Sequence, residues 1–264
     1  MKILVIGRGL IGQYIKSYMP QAELVSSSKS LKLLKKKSYD YVINCTFDDN
    51  YNSSFYNASS SFDSNIIKLI SSSSKYVMLS SRKVYQTNQQ WNASELLDIN
   101  PKLIAGFYGK NKLASESFVK ENLHKDQYLI LRLPNIFGLR GNIPNNLNFF
   151  DQMYDNLKKN RVIKFNFNRY TKKDFMYAED FAKVLKVCIE DHIYGTFNCG
   201  YGNPVACNKL AEILINSLGY GNIEDLNEIK DEFFLNTSKI KSKIDLPAFK
   251  GLEKGIKEII SNNF

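Results

Sequence analysis

The sequence predicts an α/β fold, a doubly wound parallel sheet with a smaller region toward the C-terminus. Three observations carry that expectation. Short, nearly continuous apolar runs recur along the first half of the chain, helix-period stretches separate them, and a glycine-rich turn joins the first run to the first helix. At 264 residues a compact chain buries roughly three quarters of its unfolded surface, so no disulfide or metal is needed to hold such a fold.

The elements follow in order. KILVIG (2–7) is the all-apolar run of a strand buried on both faces. Leu10, Ile11, Tyr14, Ile15 and Tyr18 then share one helical stripe, and Pro20 stops it. AELVS (22–26), YDYVINC (39–45), KYVMLSS (75–81) and QYLILRLP (127–134) read as further strands, with an amphipathic helix over about 108–123. Because strand and helix alternate, the sheet should be parallel, and ligands should collect beyond the carboxyl ends of its strands. Serine runs at 26–28, 59–61 and 71–74 abut these elements and are too short to be linkers. After residue 135 the pattern loosens through NIFGLRGNIPNNLNFF, then recovers in DFMYAEDFAKVLKVCIE, TFNCG and KLAEILINSLG.

Composition narrows the function. The net charge of +10 comes from 30 lysines and only 6 arginines, spread along the chain with one local cluster at Lys35, Lys36 and Lys37. Without a basic stripe or an aromatic-basic repeat, nucleic acid is not an expected partner. A diffuse lysine excess is a solvated surface that also concentrates phosphorylated small molecules. Cys45, Cys188, Cys199 and Cys207 show no paired spacing, so neither a zinc site nor a disulfide framework is indicated, and a reducing cytoplasm fits. The first apolar stretch is too short for a signal peptide, and no run approaches the length of a membrane span.

GRGLIG stands directly between the first strand and the first helix, which lifts a weak glycine pattern into a Rossmann-type dinucleotide site. Gly7 permits the tight turn, Gly9 lets backbone approach a pyrophosphate, and Gly12 lets helix pack on sheet. The helix N-terminus at Leu10 and Ile11 adds amide donors and positive potential. Cys45 and Pro134, at the ends of later strands, complete the expected cofactor contacts. The second strand ends VSSSK, with no carboxylate for the ribose 2′-hydroxyl of NAD. Ser27, Lys29 and Arg8 suit a 2′-phosphate instead, so NADP(H) is favoured and NAD(H) is the alternative. The expected division is a dinucleotide-binding domain over 1–135, with return segments from about 170–200, and a mostly substrate-binding region over 136–264.

A lysine one helical turn after a tyrosine can lower a phenol's pKa and grip the nicotinamide ribose. Tyr108 and Lys112 have that spacing, and so do Tyr154 and Lys158. About two such pairs are expected by chance from this composition, so context must decide. Ser81 closes the fourth strand ahead of Tyr108, where it can donate a hydrogen bond to a carbonyl oxygen beside the phenol. Tyr154 has no such partner. Were Tyr108 absent, the plainer reading of Ser81, a serine that closes its strand by bonding its own backbone, would be favoured.

With these motifs in place the chain resembles the extended short-chain dehydrogenase/reductase superfamily, in its NAD-dependent epimerase/dehydratase group acting on nucleotide sugars. SSRKVY resembles the group's serine-rich strand end, and YGKNK its Tyr-Gly-Lys-x-Lys helix. RLPNIFG, KDFMYAEDFAKVL, FNCGYGNPVACNKLAEIL and NTSKIKSKI resemble its later motifs. The resemblance implies catalytic Ser81, Tyr108 and Lys112, with Ser81, Asn135 and Lys173 contacting substrate, the last two at its pyrophosphate. It also implies a dimer through paired helices. The chain departs from the group in several ways, and it is also shorter than most of the group's epimerases, which together with the missing acidic residue at the second strand leans toward a reductase. GRGLIG is one residue shorter than the usual first loop. Lys173 replaces an arginine, which keeps the cation and loses the bidentate fork. Arg82 and Lys83 stand where 4,6-dehydratases carry an Asp-Glu pair.

Arg82 and Lys83 in that place argue against dehydration. His124 and His192 lie in no motif and read as surface residues, and no base for 3,5-epimerisation or metal site is visible. The expected activity is NADPH-dependent reduction of a keto-sugar nucleotide, of 4-keto-6-deoxy type, in surface-polysaccharide or deoxysugar biosynthesis. The alternatives are a nucleotide-sugar 4-epimerase with tightly bound NAD and a non-catalytic NADP-sensing regulator.

Overall fold

The computed structural model describes residues 1–138 and 148–262. The first half alternates strand and helix: β1 (Ile3–Ile6), α1 (Leu10–Tyr18), β2 (Glu23–Val25), α2 (Ser27–Leu34), β3 (Tyr41–Asn44), α3 (Phe62–Ile67), β4 (Lys75–Ser81), α4 (Gly106–Asn122) and β5 (Tyr128–Leu133). The second half holds β6 (Asn135–Phe137), α5 (Phe149–Asn160), β7 (Val162–Phe165), β8 (Lys172–Lys173), β9 (Phe175–Tyr177), α6 (Ala178–Glu190) and β10 (Gly195–Asn198). It closes with β11 (Val205–Ala206), α7 (Cys207–Leu218), β12 (Asn222–Asp225), α8 (Ser238–Lys241) and α9 (Gly251–Ser261). Most of the stretch where the sequence pattern loosens, 139–147, lies outside the described residues.

Six strands pair in the order β10-β5-β4-β3-β1-β2, every pair parallel. The expected strands are all present, and the TFN of TFNCG supplies the sixth by pairing beside β5. The chain leaves β1 toward β2 on one side and returns to β3 on the other, so the strand order reverses between β1 and β3. Parallel sheets of this kind open a crevice beyond the strand ends at that reversal.

Side chains alternate across the sheet, and both faces are covered. Ile3, Val5, Tyr41, Ile43, Val77 and Leu131 pack with Ile15 of α1 and Phe181 and Leu185 of α6. Leu4, Ile6, Val42, Tyr76 and Ile130 pack on the opposite face with Ile66 of α3 and Val119 of α4. Each such buried aliphatic side chain contributes about 1.5–3 kcal/mol. A separate aromatic-rich core, with Phe137, Phe150, Phe165, Phe175 and Tyr177, joins β6, β7 and β9 to α5, α7 and α9.

One expected element differs in kind. The α4 helix should be amphipathic, yet its buried residues are Gly109, Asn111, Lys112, Ser115, Glu116 and Val119. The buried polar groups there are satisfied individually rather than shielded by an apolar stripe. Asn111 Nδ2 donates to the carbonyl oxygens of Tyr51 at 3.1 Å and Ser54 at 2.6 Å. Ser115 donates to Asp63 at 2.7 Å, and Glu116 accepts from Ser80 at 2.6 Å and from Arg132 at 3.0 and 2.7 Å.

Candidate active site

The crevice begins where β1 turns into α1. Gly7 has φ +109°, and a Cβ there would meet the Cys45 carbonyl group at 3.0 Å. A Cβ on Gly12 would lie 1.9 Å from the Gly7 carbonyl oxygen. Turn and helix therefore press together at positions only glycine fills. Gly9 is different, since no heavy atom comes within 4 Å of where its Cβ would be. It precedes α1 without a side-chain cap, and the first turn holds no acidic residue. The amides from Leu10 and Ile11 onward are left with positive potential facing open space, which fits a dinucleotide's pyrophosphate.

Arg8 in the glycine turn is exposed, as are Ser27 and Lys29 after β2, and the first turn of α2 carries no carboxylate. Glu23, the acidic residue within β2, is engaged elsewhere and accepts from the Tyr39 hydroxyl at 2.7 Å.

Past the glycine turn lies a cleft of about 260 Å³, lined by Ile11, Cys45, Ser81, Tyr108, Lys112 and Pro134. These six come from five different strand ends and helix starts. Thr46, Phe47, Leu79, Ser80, Leu133 and Ile136 complete the wall. Of these the Phe47 ring stacks on Tyr108, with centroids 5.7 Å apart and planes 18° from parallel. An aromatic residue just past a strand's carboxyl end was the signal available for Phe47.

Lys112 sits one turn along α4 from Tyr108. Its Nζ donates to the Leu79 carbonyl oxygen at 3.0 Å and lies 5.3 Å from the Tyr51 ring centre. The Tyr51 hydroxyl donates to Asp63 at 3.2 Å. Burial alone would raise the Asp63 carboxyl, but the Lys112 charge and hydrogen bonds from Tyr76, Ser115 and Asn44 bring it below the ordinary carboxylate range. A buried anion thus stands behind the lysine, and nothing in the sequence pattern points to it.

Ser81 Oγ accepts from the Lys83 amide at 3.2 Å, capping the short 3₁₀ turn Arg82–Val84. The plain reading of this serine is therefore correct as far as it goes, and the residue also lines the cleft. The same turn fixes its distance from α4, because a Cβ on Gly109 would fall 2.1 Å from the Lys83 carbonyl oxygen. Glycine directly after Tyr108 is what lets the helix lie against the turn carrying Ser81.

Asn135 and Lys173 do not line the cleft. The Asn135 amide donates to the Asp174 carbonyl oxygen at 3.3 Å, and Lys173 Nζ donates to Asp231 at 3.0 Å. Tyr154 packs partly buried against the second core on α5, with Lys158 Nζ 5.3 Å from its ring centre, apart from the cleft. His124 and His192 are exposed. Among the described residues, no helix is long and apolar enough to cross a membrane.

The profile of the NAD dependent epimerase/dehydratase family matches residues 12–200. No curated protein is similar enough in sequence to match. Among solved structures, the dTDP-4-dehydrorhamnose reductase of Clostridium acetobutylicum superposes with a TM-score of 0.77 at 18% identity, covering 100% of this chain and 99% of its own. The UDP-N-acetylglucosamine 4-epimerase of Methanobrevibacter ruminantium, in complex with UDP-N-acetylmuramic acid, gives 0.77 at 20% identity, covering 99% and 98%. The dTDP-4-dehydrorhamnose reductase of Bacillus anthracis, in complex with NADP, gives 0.75 at 14% identity and covers 99% of each chain.

Proposed function

The chain belongs to the NAD dependent epimerase/dehydratase family, and on that premise we propose that it reduces a keto-sugar nucleotide, of 4-keto-6-deoxy type, using NADPH. The observation that carries this reading is the chemistry of the cleft wall. Among the described residues it contains Ser81, Tyr108 and Lys112, and neither a carboxylate nor an imidazole. Elimination and 3,5-epimerisation need a further acid or base beside the sugar, whereas reduction of a carbonyl needs one proton donor. The Cys45 thiol does not substitute, because burial pushes its pKa well above the ordinary thiol range.

In this reading the Tyr108 phenol donates a proton to the carbonyl oxygen, and Ser81 Oγ holds that oxygen by a hydrogen bond. Lys112, buried and anchored on Leu79, stands one helical turn from the phenol, on the face where an ammonium stabilises a phenolate. The Phe47 ring, itself about half exposed, packs on the phenol ring. When bound, the nicotinamide dinucleotide supplies the hydride. A dinucleotide fits the chain's own residues at Gly7, Gly9 and Gly12, and the 2′-phosphate of NADP suits exposed Arg8 and Lys29 beside Ser27.

A 4-epimerase is the second reading, favoured by the fold shared with an enzyme of that activity and open to the same three side chains. The test offers a panel of 4-keto-6-deoxy nucleotide sugars with deuterated NADPH and follows the label by mass spectrometry. Deuterium at the former carbonyl carbon, with matching loss of nicotinamide absorbance, is the expected result. Conversion of an ordinary hydroxylated nucleotide sugar, with neither label gained nor cofactor consumed, would sink the reductase and leave the epimerase standing.

Cofactor choice is a separate expectation. NADPH should bind more tightly than NADH, by roughly tenfold for one charge-assisted phosphate contact. Arg8→Ala should narrow the gap. Fluorescence titration of both dinucleotides reads it directly, and equal affinities in the unmodified protein would remove Arg8 and Lys29 as 2′-phosphate ligands.

A further inference from the structure

Two buried arginines in this protein are treated in opposite ways. Arg132, with its side chain 5% exposed, has a fully buried carboxylate of its own, Glu116, bonded at 3.0 and 2.7 Å. A third bond runs from its Nη1 to the Tyr85 hydroxyl at 2.9 Å. Its charge is matched, and its pKa is raised above the ordinary arginine value: burial alone would lower it, and Glu116 outweighs that.

Arg82 has no such match. Its side chain is 8% exposed, its Nη1 donates to the neutral amide oxygen of Gln90, and its guanidinium lies over the Phe233 ring at 3.3 Å. Lys173, 7% exposed, packs on Phe167 with Nζ 4.4 Å from the ring centre. Both cations share one carboxylate. Asp231 Oδ2 is 3.0 Å from Lys173 Nζ and 3.9 Å from Arg82 Nη2, on a side chain that is 51% exposed. Lys83 faces the same carboxylate, and the neighbouring Glu232 is turned to the Lys172 amide at 3.1 Å. Two buried cations with one solvent-facing partner between them are left short of negative charge. Burial accordingly lowers the Arg82 pKa to about 10, only partly offset by Asp231.

We propose that Arg82 joins Lys173 in a subsite for the diphosphate of the nucleotide-sugar substrate, and that Asp231 occupies this subsite as an intramolecular carboxylate which the diphosphate displaces. The inference rests on the nucleotide-sugar reading above. Arg82 restores the planar two-pronged donor that lysine at 173 lacks, from the turn directly after Ser81 rather than from β8. A diphosphate carries about two negative charges, enough to take over from Asp231 and neutralise both buried cations at once.

Inorganic pyrophosphate is the probe, since it is independent of base and sugar. It is titrated calorimetrically into protein already saturated with whichever of NADP or NAD binds, so that the dinucleotide site is filled. Asp231→Asn, an exposed substitution that leaves the core alone, should tighten pyrophosphate by roughly fivefold or more by removing the competing charge. Arg82→Gln should weaken it by roughly tenfold or more, the size of a lost charge-assisted hydrogen bond. Unchanged or weaker binding by Asp231→Asn overturns the displacement, and unchanged binding by Arg82→Gln removes the arginine from the subsite. Should Arg82→Gln fail to fold, Arg82→Lys takes its place: it keeps the charge and loses the planar fork, so it should also weaken pyrophosphate, and unchanged binding would remove the arginine's fork from the subsite. Pyrophosphate responding as stated while no nucleotide sugar is turned over would defeat the proposed function and not the subsite. Turnover with an unchanged KM in Asp231→Asn would do the reverse.

Discussion

Tyr108→Phe is expected to slow turnover by roughly a hundred to ten thousand fold, the range for loss of a positioned general acid. The substitution removes one oxygen and keeps the ring that stacks on Phe47. Dinucleotide binding and thermal stability should therefore hold while kcat falls. Tyr154→Phe is the matched control, with the same substitution at the same spacing from a lysine. Its ring packs against the second core, and its activity should stay close to that of the unmodified protein. Steady-state kinetics on both variants checks the pair, and a crippled Tyr154→Phe with an active Tyr108→Phe would move the active site to α5.

Asp174→Asn is expected to stabilise the protein above neutral pH by about 4 kcal/mol and to do little in acid. Asp174 is completely buried, and its Oδ1 has no hydrogen-bond partner. Its other oxygen accepts from the Leu235 amide at 3.4 Å. Burial raises its pKa from 3.8 to about 7, more than the backbone amides of Leu235 and Gly202 can offset. Because the folded value lies above the unfolded one, the native state holds a proton that the unfolded chain has lost. The stability present below pH 3.8 is given up as pH rises toward about 7. Asparagine cannot ionise and removes that slope. Denaturant unfolding of both proteins at pH 5 and pH 8 measures it, and an equal difference at the two pH values would mean that Asp174 does not titrate in this range.

The parallel strands were legible because burial on both faces leaves an uninterrupted apolar run, as in ILVI of β1 and YVIN of β3. The glycine turn was legible for a different reason, since steric contacts at Gly7 and Gly12 exclude every other residue. Ser81, Tyr108 and Lys112 could be singled out by their places after a strand and along a helix, and they do line one cleft. What stands behind them could not. Asp63 reaches Ser115 across 52 residues and Glu116 meets Arg132 across 16, so neither pair leaves a local pattern. The helix that carries them reads as amphipathic until those partners show that its buried face is polar. Asp231 was similarly hidden, being an exposed acidic residue in a charged stretch whose meaning depends on the cations folded against it.

The sixth strand has a consequence for how the molecule is made. β10 at Gly195–Asn198 pairs with β5 at residues 129–132. During synthesis, the nascent chain therefore presents β5 with one row of amide and carbonyl groups unpaired while more than sixty further residues are still to emerge. An open strand edge of this kind, here the apolar YLILRL, is a template for pairing with another chain. The covering strand follows β6, β7 and β9 in the chain, so this margin stays open until those segments of the aromatic-rich core have been made, and it is then closed by a single four-residue ladder. A fragment ending at β5 would carry the glycine turn and the catalytic candidates together with an aggregation-prone margin, and β10 is the segment that turns that margin into interior.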